Sequence, residues 1–419
     1  MKRQTLWTYD YTVITIGSFI SLVGNALSNF ALSLLVLDYT GSTFLYMLFS
    51  VSFQLPVMIC PVLAGPYLDR MSRKRAIYTL DFLSAGIYAL LFLLLRGGWF
   101  SCTGLLAVSF LTGAIDGVYV VAYDSFYPNL IAKGNFQKAY SVYGLLVDLS
   151  GLASPLAAVL YYRLGGAAPL FAINAVSFLL AACAEVTVRC QETHMDEAAR
   201  TADRNALGQF CRDLREGLDY IRGERGLLLI ALYFMASGLV ASAEQLQLPY
   251  FLHHAGRFAA WPLAAAALYA VLINFTTAGR LLGGAMQYRL HIPKEWKFSA
   301  AFCVYVAINV LSGTLLFLPV PLMAVWFFLD GVLGVTSYTI RTAAVQSYVP
   351  DRKRARFNGM FQMISCVGSV VGSLAVGALA EFLPERLIIA AASALALAGV
   401  YRFMYRGRAY VKEVYNREV

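Results

Sequence analysis

Twelve apolar runs, each long enough to cross a lipid bilayer, restrict this chain more than any other feature of its sequence. A bilayer-crossing helix needs about 20 apolar residues. The runs lie at about 11–37, 43–68, 75–96, 100–127, 138–161, 168–188, 227–252, 262–288, 298–318, 321–347, 357–382 and 386–405. Lipid offers the backbone no hydrogen-bond partners, so only helices and closed barrels span it. The runs lack the alternation over about ten residues that marks a barrel strand. The spans are therefore read as helices, and the chain as an all-α membrane protein whose first partner is the lipid bilayer. The first run exceeds the apolar core of a signal peptide and reads as a retained span. Of the 419 residues 59% are hydrophobic and 14% charged, against about 25% charged in soluble domains. That balance excludes a soluble enzyme, a disordered chain and a disulfide-rich secreted domain.

One long polar stretch, 189–226, divides the spans into six and six. It predicts an N-terminal bundle over 1–188, a cytoplasmic linker over 189–226, and a C-terminal bundle with a short tail over 227–419. Within the linker, Leu207, Phe210, Leu214, Leu218 and Ile221 repeat at helical spacing with charges opposite, which predicts an amphipathic helix on the inner membrane face. The two halves also echo one another. Ser125 to Pro128 precedes Phe136 in the first, and Ser347 to Pro350 precedes Phe357 in the second, as in transporters built from internal repeats.

The net charge of +9 could suggest nucleic acid, but its distribution argues against that partner. Of the 33 Lys and Arg, 27 fall on the side of the termini and only four in the opposite loops. Basic residues accumulate in cytoplasmic loops, so both termini are expected inside a multi-pass protein of the cell membrane. The seven Cys are scattered, with no Cys-x-x-Cys and no Cys/His cluster. Neither a disulfide nor a metal site is expected. The sequence contains no phosphate-binding Gly-x-x-x-x-Gly-Lys loop, no His-Glu-x-x-His and no Gly-x-Ser-x-Gly. No ATP-driven step, enzymatic hydrolysis or cofactor is therefore expected.

Ionisable side chains inside a span are costly and point to function. Asp116, Asp148, Glu244 and Asp330 lie nearest the middle of their spans, and Arg341 in the inner half of span ten. Glu244 and Gln247 belong to a polar stretch along span seven. Asn25 and Asn29 stand one turn apart on span one and share a face. These eight residues are the expected substrate and proton pathway. Tyr119 and Tyr123 lie near Asp116, where their rings could meet an organic cation. Asp81 and Asp124 sit closer to the cytoplasm and read as ion-pair partners of Arg70, Arg73 or Arg75. Glu185 reads as interfacial.

The loop after span two, with Gly65, Asp69, Arg70, Arg73 and Lys74, resembles the Gly-x-x-x-Asp-Arg-x-Gly-Arg-Arg/Lys loop of the major facilitator superfamily. Ser72 stands where that family usually has Gly. Ser21, Gly24, Asn25 and the Thr40-Gly41-Ser42 turn resemble the macrolide-efflux branch of its drug:proton antiporters, with Asn25 in place of a frequent Asp. In span five, Ser150, Ser154 and Pro155 occupy the pattern of an antiporter signature, its glycines replaced by small residues. The resemblance implies two pseudo-symmetric six-helix bundles, a central cavity, and a gating loop at 65–75. It implies a monomer that exports an amphipathic small molecule or drug by alternating access, with protons as coupling ion. A metabolite importer or facilitator of the same fold, and a non-transporting receptor or assembly component, are the alternatives.

Overall fold

The computed structural model describes residues 6–68, 71–131, 136–190, 206–289 and 293–416. Among these it holds twelve spans long and apolar enough to cross a membrane, from Tyr9–Thr40 to Glu385–Tyr405. Contacts divide the chain into two compact units, Met1–Gly41 with Phe49–Ala206, and Ser42–Leu48 with Leu207–Val419.

The helices of the first unit are α1 (Tyr9–Thr40), α2 (Thr43–Leu68, which belongs to this unit from Phe49 onward), α3 (Arg73–Arg96), α4 (Cys102–Phe126), α5 (Phe136–Gly151), α6 (Ser154–Arg163) and α7 (Ala168–Val186). Their ends follow from local chemistry. Thr8 caps α1 by accepting from the Tyr11 amide. Gly41 closes α1 at φ 61°, with its N–H donated to the Leu37 carbonyl, in the left-handed conformation that suits Gly. Ser72 accepts from the Arg75 amide at 3.1 Å and caps α3. The departure from Gly at this position therefore gives α3 a side-chain cap that Gly lacks.

The fifth span, read from sequence as one helix, is broken into α5 and α6. Pro155 has no N–H to return to the Gly151 carbonyl. Instead Ser154 Oγ donates to that carbonyl at 2.9 Å, while the Leu152 and Ala153 amides bond three residues back.

The second unit holds α8 (Ala206–Gly223), α9 (Arg225–Glu244), α10 (Gln247–His253), α11 (Ala265–Arg289), α12 (Lys294–Thr314), α13 (Val320–Tyr348), α14 (Asp351–Ala380), α15 (Glu385–Gly399) and α16 (Arg408–Tyr415). Span seven is broken between α9 and α10, where Pro249 frees the Gln245 carbonyl and the amides of Gln245 and Leu246 bond three residues back. Span twelve continues from α15 through a π-helical turn, Val400–Tyr405.

Equivalent pairs of spans pack in each unit: one on six with seven on twelve, and three on six with nine on twelve. Small residues set the tightest crossings, as membrane helices without a hydrophobic drive require. A Cβ on Gly113 of α4 would lie 2.3 Å from the Phe53 carbonyl oxygen of α2. The equivalent crossing is closer still, since a Cβ on Gly279 of α11 would lie 2.0 Å from the Phe328 oxygen of α13.

The linker helix forms as expected at α8, but its inner end does not lie free in the interface. Ile221 is fully buried in the core of the second unit, and Leu218 packs against it. The short helix α16 lies in what the sequence presents as a plain tail. It buries Val411, Val414 and Tyr415, and Tyr415 shares a 2.7 Å hydroxyl hydrogen bond with Tyr305 of α12.

Candidate functional site

Each unit contains a cavity, and each cavity is acidic. The first encloses about 420 Å³ and is lined from α1 by Asn25 and Asn29, from α3 by Asp81 and Tyr88, and from α4 by Asp116 and Tyr119. Its size falls within the range of small-molecule sites, roughly 300–1,000 Å³. Helix spacing explains the lining of α3. Asp81, Ser84 and Tyr88 recur at three- and four-residue steps and so share one face, and all three meet the cavity.

A hydrogen-bond network fixes the wall. Asn174 of α7 is fully buried. Its Nδ2 donates to Asn25 Oδ1 at 3.2 Å, and its Oδ1 accepts from Ser177 Oγ at 3.0 Å. Gly24 lets α7 approach, since a Cβ there would lie 2.3 Å from Asn174 Oδ1. Ser18 Oγ donates to the Tyr123 hydroxyl at 3.2 Å. Tyr119, Tyr123 and Tyr143 stack in sequence, with centroids 5.8 and 5.5 Å apart, and all three line the cavity. Offset ring pairs of this kind hold a rigid aromatic wall at little entropic cost.

The second cavity, about 290 Å³, lies where span seven breaks. Glu244 ends α9 and Gln247 begins α10, so the bend presents both to the same space, with Tyr269, Trp326 and Asp330. Ser312 of α12 donates to Glu244. Neither cavity is lined by a Lys, Arg or His among the described residues. An aromatic wall with uncompensated carboxyl groups suits a cation, or a proton carried in its place.

Of the eight expected pathway residues, Asn25, Asn29 and Asp116 meet in the first cavity, and Glu244, Gln247 and Asp330 in the second. Asp148 lies on α5 and lines neither of these cavities. Arg341 stands apart from them in a third recess with Tyr338, Phe357 and Gln362. Its guanidinium lies 4.5 Å from the ring centre of Phe234 and 5.2 Å from that of Phe361. Arg341 is thus held by ring faces.

Ser150 lines the first cavity, and Ser154 with Pro155 forms the break in span five. In the loop, Gly65 falls within α2, whereas Asp69 and Arg70 lie outside the described residues. Arg73 donates to the Ser125 carbonyl at 3.1 Å, and Lys74 to the carbonyls of Val186 and Val188. Both cations therefore stabilise the carbonyl ends of neighbouring helices, where the helix dipole favours positive charge.

The interfacial reading of Glu185 is overturned, whereas Arg70, one of the partners expected for Asp81, lies outside the described residues. Asp81 and Glu185 are both buried, and each carboxyl faces the other. The signal was present in α7, where Asn174, Ser177, Phe178, Ala181 and Glu185 continue one buried face at helical spacing.

Residues 6–414 match the family described as "Transmembrane secretion effector". Macrolide efflux protein A of Streptococcus pyogenes is 22% identical over 232 residues, 55% of this chain and 56% of that protein. The chain thus matches little more than half the length of that relative. The multidrug efflux pump Tap of Mycolicibacterium fortuitum is 24% identical over 391 residues, 91% of this chain and 90% of that one. Among solved structures, the nucleoside transporter NupG superposes with a TM-score of 0.71 at 12% identity, covering 95% of this chain and 99% of that one. A bacterial homologue of the human lysosomal transporter Spinster gives 0.64 at 13%, covering 98% of each chain.

Proposed function

The chain belongs to the transmembrane secretion effector family, within the major facilitator superfamily of membrane transporters, and on that premise we propose that it exports amphipathic cationic small molecules in exchange for protons. One observation carries the reading. Both cavities combine carboxyl groups with aromatic rings and lack a basic side chain among the described residues. A lipophilic cation satisfies both features at once, and a proton can neutralise the same carboxyls once the cation has left. The efflux relatives support the direction of transport.

The mechanism we propose is alternating access, in which the acidic cavities open in turn to each face of the membrane. Asn25, Asn29, Asp116, Glu244, Gln247 and Asp330 contact cargo or protons. Asp148 and Arg341 act along the path rather than in the two cavities. Gly65, Asp69, Arg70, Arg73 and Lys74 form the gating loop, and the Ser150–Pro155 break lets span five bend. The two halves, 1–188 and 227–419, move as bundles joined by the linker 189–226, in a monomer with both termini cytoplasmic.

The test is transport by purified protein in liposomes, with tetraphenylphosphonium as cargo and a pH gradient imposed across the vesicle. Gradient-driven accumulation that falls about tenfold or more in both Asp116→Asn and Glu244→Gln is expected, a loss of at least about 1.4 kcal/mol of coupling. Movement that ignores the gradient identifies a facilitator and defeats the antiport reading.

A further inference from the structure

At the edge of the first cavity, two carboxyl groups meet with no cation among the described residues seen against them. Asp81 leaves α3 and Glu185 leaves α7, and each residue is 1% exposed. Their carboxyls lie within hydrogen-bonding reach of one another. Asp81 Oδ2 and both oxygens of Glu185 are buried and receive no donor from the described residues. Buried polar atoms without partners are rare, and in a carboxyl pair they leave a charge unanswered.

Among the described residues, the side chains that line this space supply no positive charge. From α1, Gly17 comes near Glu185 with backbone alone, since a Cβ there would lie 3.9 Å from Oε1. From α4, Tyr119 lies near both carboxyls and Tyr123 near Glu185, with Asp116 in the adjoining cavity. Tyr143 of α5 and Tyr88 of α3 line the same cavity. Lys74, two turns before Asp81 on α3, donates to the Val186 and Val188 carbonyls, and Arg73 to the Ser125 carbonyl. A second carboxylate in this space adds repulsion, whereas one proton placed between the two converts it into a hydrogen bond.

We propose that Asp81 and Glu185 form a proton-binding dyad, and that its proton is the one exchanged against cargo in the first cavity. The two residues differ in access. Asp81 lines the cavity and Glu185 does not, so Asp81 is the door and Glu185 the store. When the dyad gives up its proton to cavity water, the O–H bond breaks and the pair passes from one negative charge to two. A cation arriving beside Asp81 and Asp116 balances that change. Departure of the cation restores the pressure to take a proton back. The exchange with cargo rests on the export reading above, whereas proton binding by the dyad does not.

Infrared spectroscopy of the full-length protein in lipid tests the binding directly. The parent is expected to show a protonated-carboxyl C=O band at near-neutral pH that shifts in heavy water. Glu185→Gln and Asp81→Asn each supply an amide donor to the remaining carboxylate, and each removes the same component of that band, leaving what Asp116, Glu244 and Asp330 contribute. Glu185→Asp keeps two carboxyls and keeps it, which separates loss of the proton from loss of the fold. Absence of the band in the parent, or undiminished intensity in both amide variants, overturns the dyad. Loss of the band on adding sodium in place of choline assigns the site to a metal cation and overturns the proton.

In vesicles, the parent's accumulation of tetraphenylphosphonium should respond to the pH gradient by a factor within the usual allosteric range, about 5–150-fold. Glu185→Gln should flatten that response to about unity, and a response equal to the parent's overturns the coupling role. A parent without any gradient response defeats the export reading while the infrared band still decides the dyad.

Discussion

Replacing Gly279 by Ala tests the crossing that holds the second cavity in shape. The added Cβ would lie 2.0 Å from the Phe328 carbonyl oxygen and 3.0 Å from its carbon. Ordinary contact begins near 3.5 Å, so the oxygen is about 1.5 Å too close. The obstruction is backbone on both helices, and no side-chain rotation relieves it. Helices α11 and α13 must separate, which also opens the contacts of Gly283 with Val332 and of Gly331 with the Thr276 carbonyl. Overpacking costs about 1–3 kcal/mol, and a rigid backbone clash belongs at the upper end. For a unit of this size each kcal/mol lowers the melting temperature by about 2–4 °C, so a fall of about 6–12 °C is expected. Thermal unfolding of the purified protein in detergent, followed by intrinsic fluorescence, reads it. Gly284→Ala is the internal standard, because a Cβ there meets no heavy atom within 4 Å. That change should leave the midpoint unaltered or raise it slightly, since Ala favours helix over Gly. Equal midpoints for the two variants would refute the close-crossing argument. Asp330 directly precedes Gly331 on α13, so the same separation should move its carboxyl and slow transport in Gly279→Ala but not in Gly284→Ala.

Asn174→Ala removes the donor to Asn25 and the acceptor for Ser177. A cost of about 1–3 kcal/mol should appear as a lower melting temperature and a raised half-saturation for tetraphenylphosphonium, whereas an unchanged half-saturation would separate the network from cargo binding. Tyr415→Phe breaks the 2.7 Å bond to Tyr305 and leaves that buried hydroxyl short of a partner. A loss of about 1–3 kcal/mol is expected with transport per folded molecule preserved, and a transport defect without a stability loss would assign α16 a role in the cycle instead.

Span number is legible because the bilayer demands about 20 apolar residues per crossing, and that demand writes itself along the chain. Gly41 and the α8 periodicity were legible for equally local reasons. The apolar runs of spans five and seven read as continuous, although Pro155 and Pro249 mark their breaks. Proline in a membrane helix is tolerated when neighbouring groups take up the freed carbonyl, and Ser154 does so for Gly151. The α16 helix is not legible in the sequence because its eight residues carry two basic side chains and one acidic one, with only a short apolar stripe. That stripe becomes decisive when Val411, Val414 and Tyr415 meet the second unit's core.

The site residues divide along the same line between local and tertiary information. Depth within a span can be counted, so Asp116, Glu244 and Asp330 were found as mid-span carboxyls, and each does line a cavity. Partnership cannot be counted. Asp81 stands eight residues after Arg73 and seven after Lys74, and proximity in sequence suggests an ion pair. In the fold, those two cations turn to the carbonyl ends of α4 and α7, where a helix dipole already presents negative charge. Their engagement there leaves Asp81 facing Glu185, a residue 104 positions away. The basic loop and the acidic dyad are therefore one arrangement. Arg73 and Lys74 hold the helix ends, and a carboxyl pair that meets no cation among the described residues can be balanced by a proton.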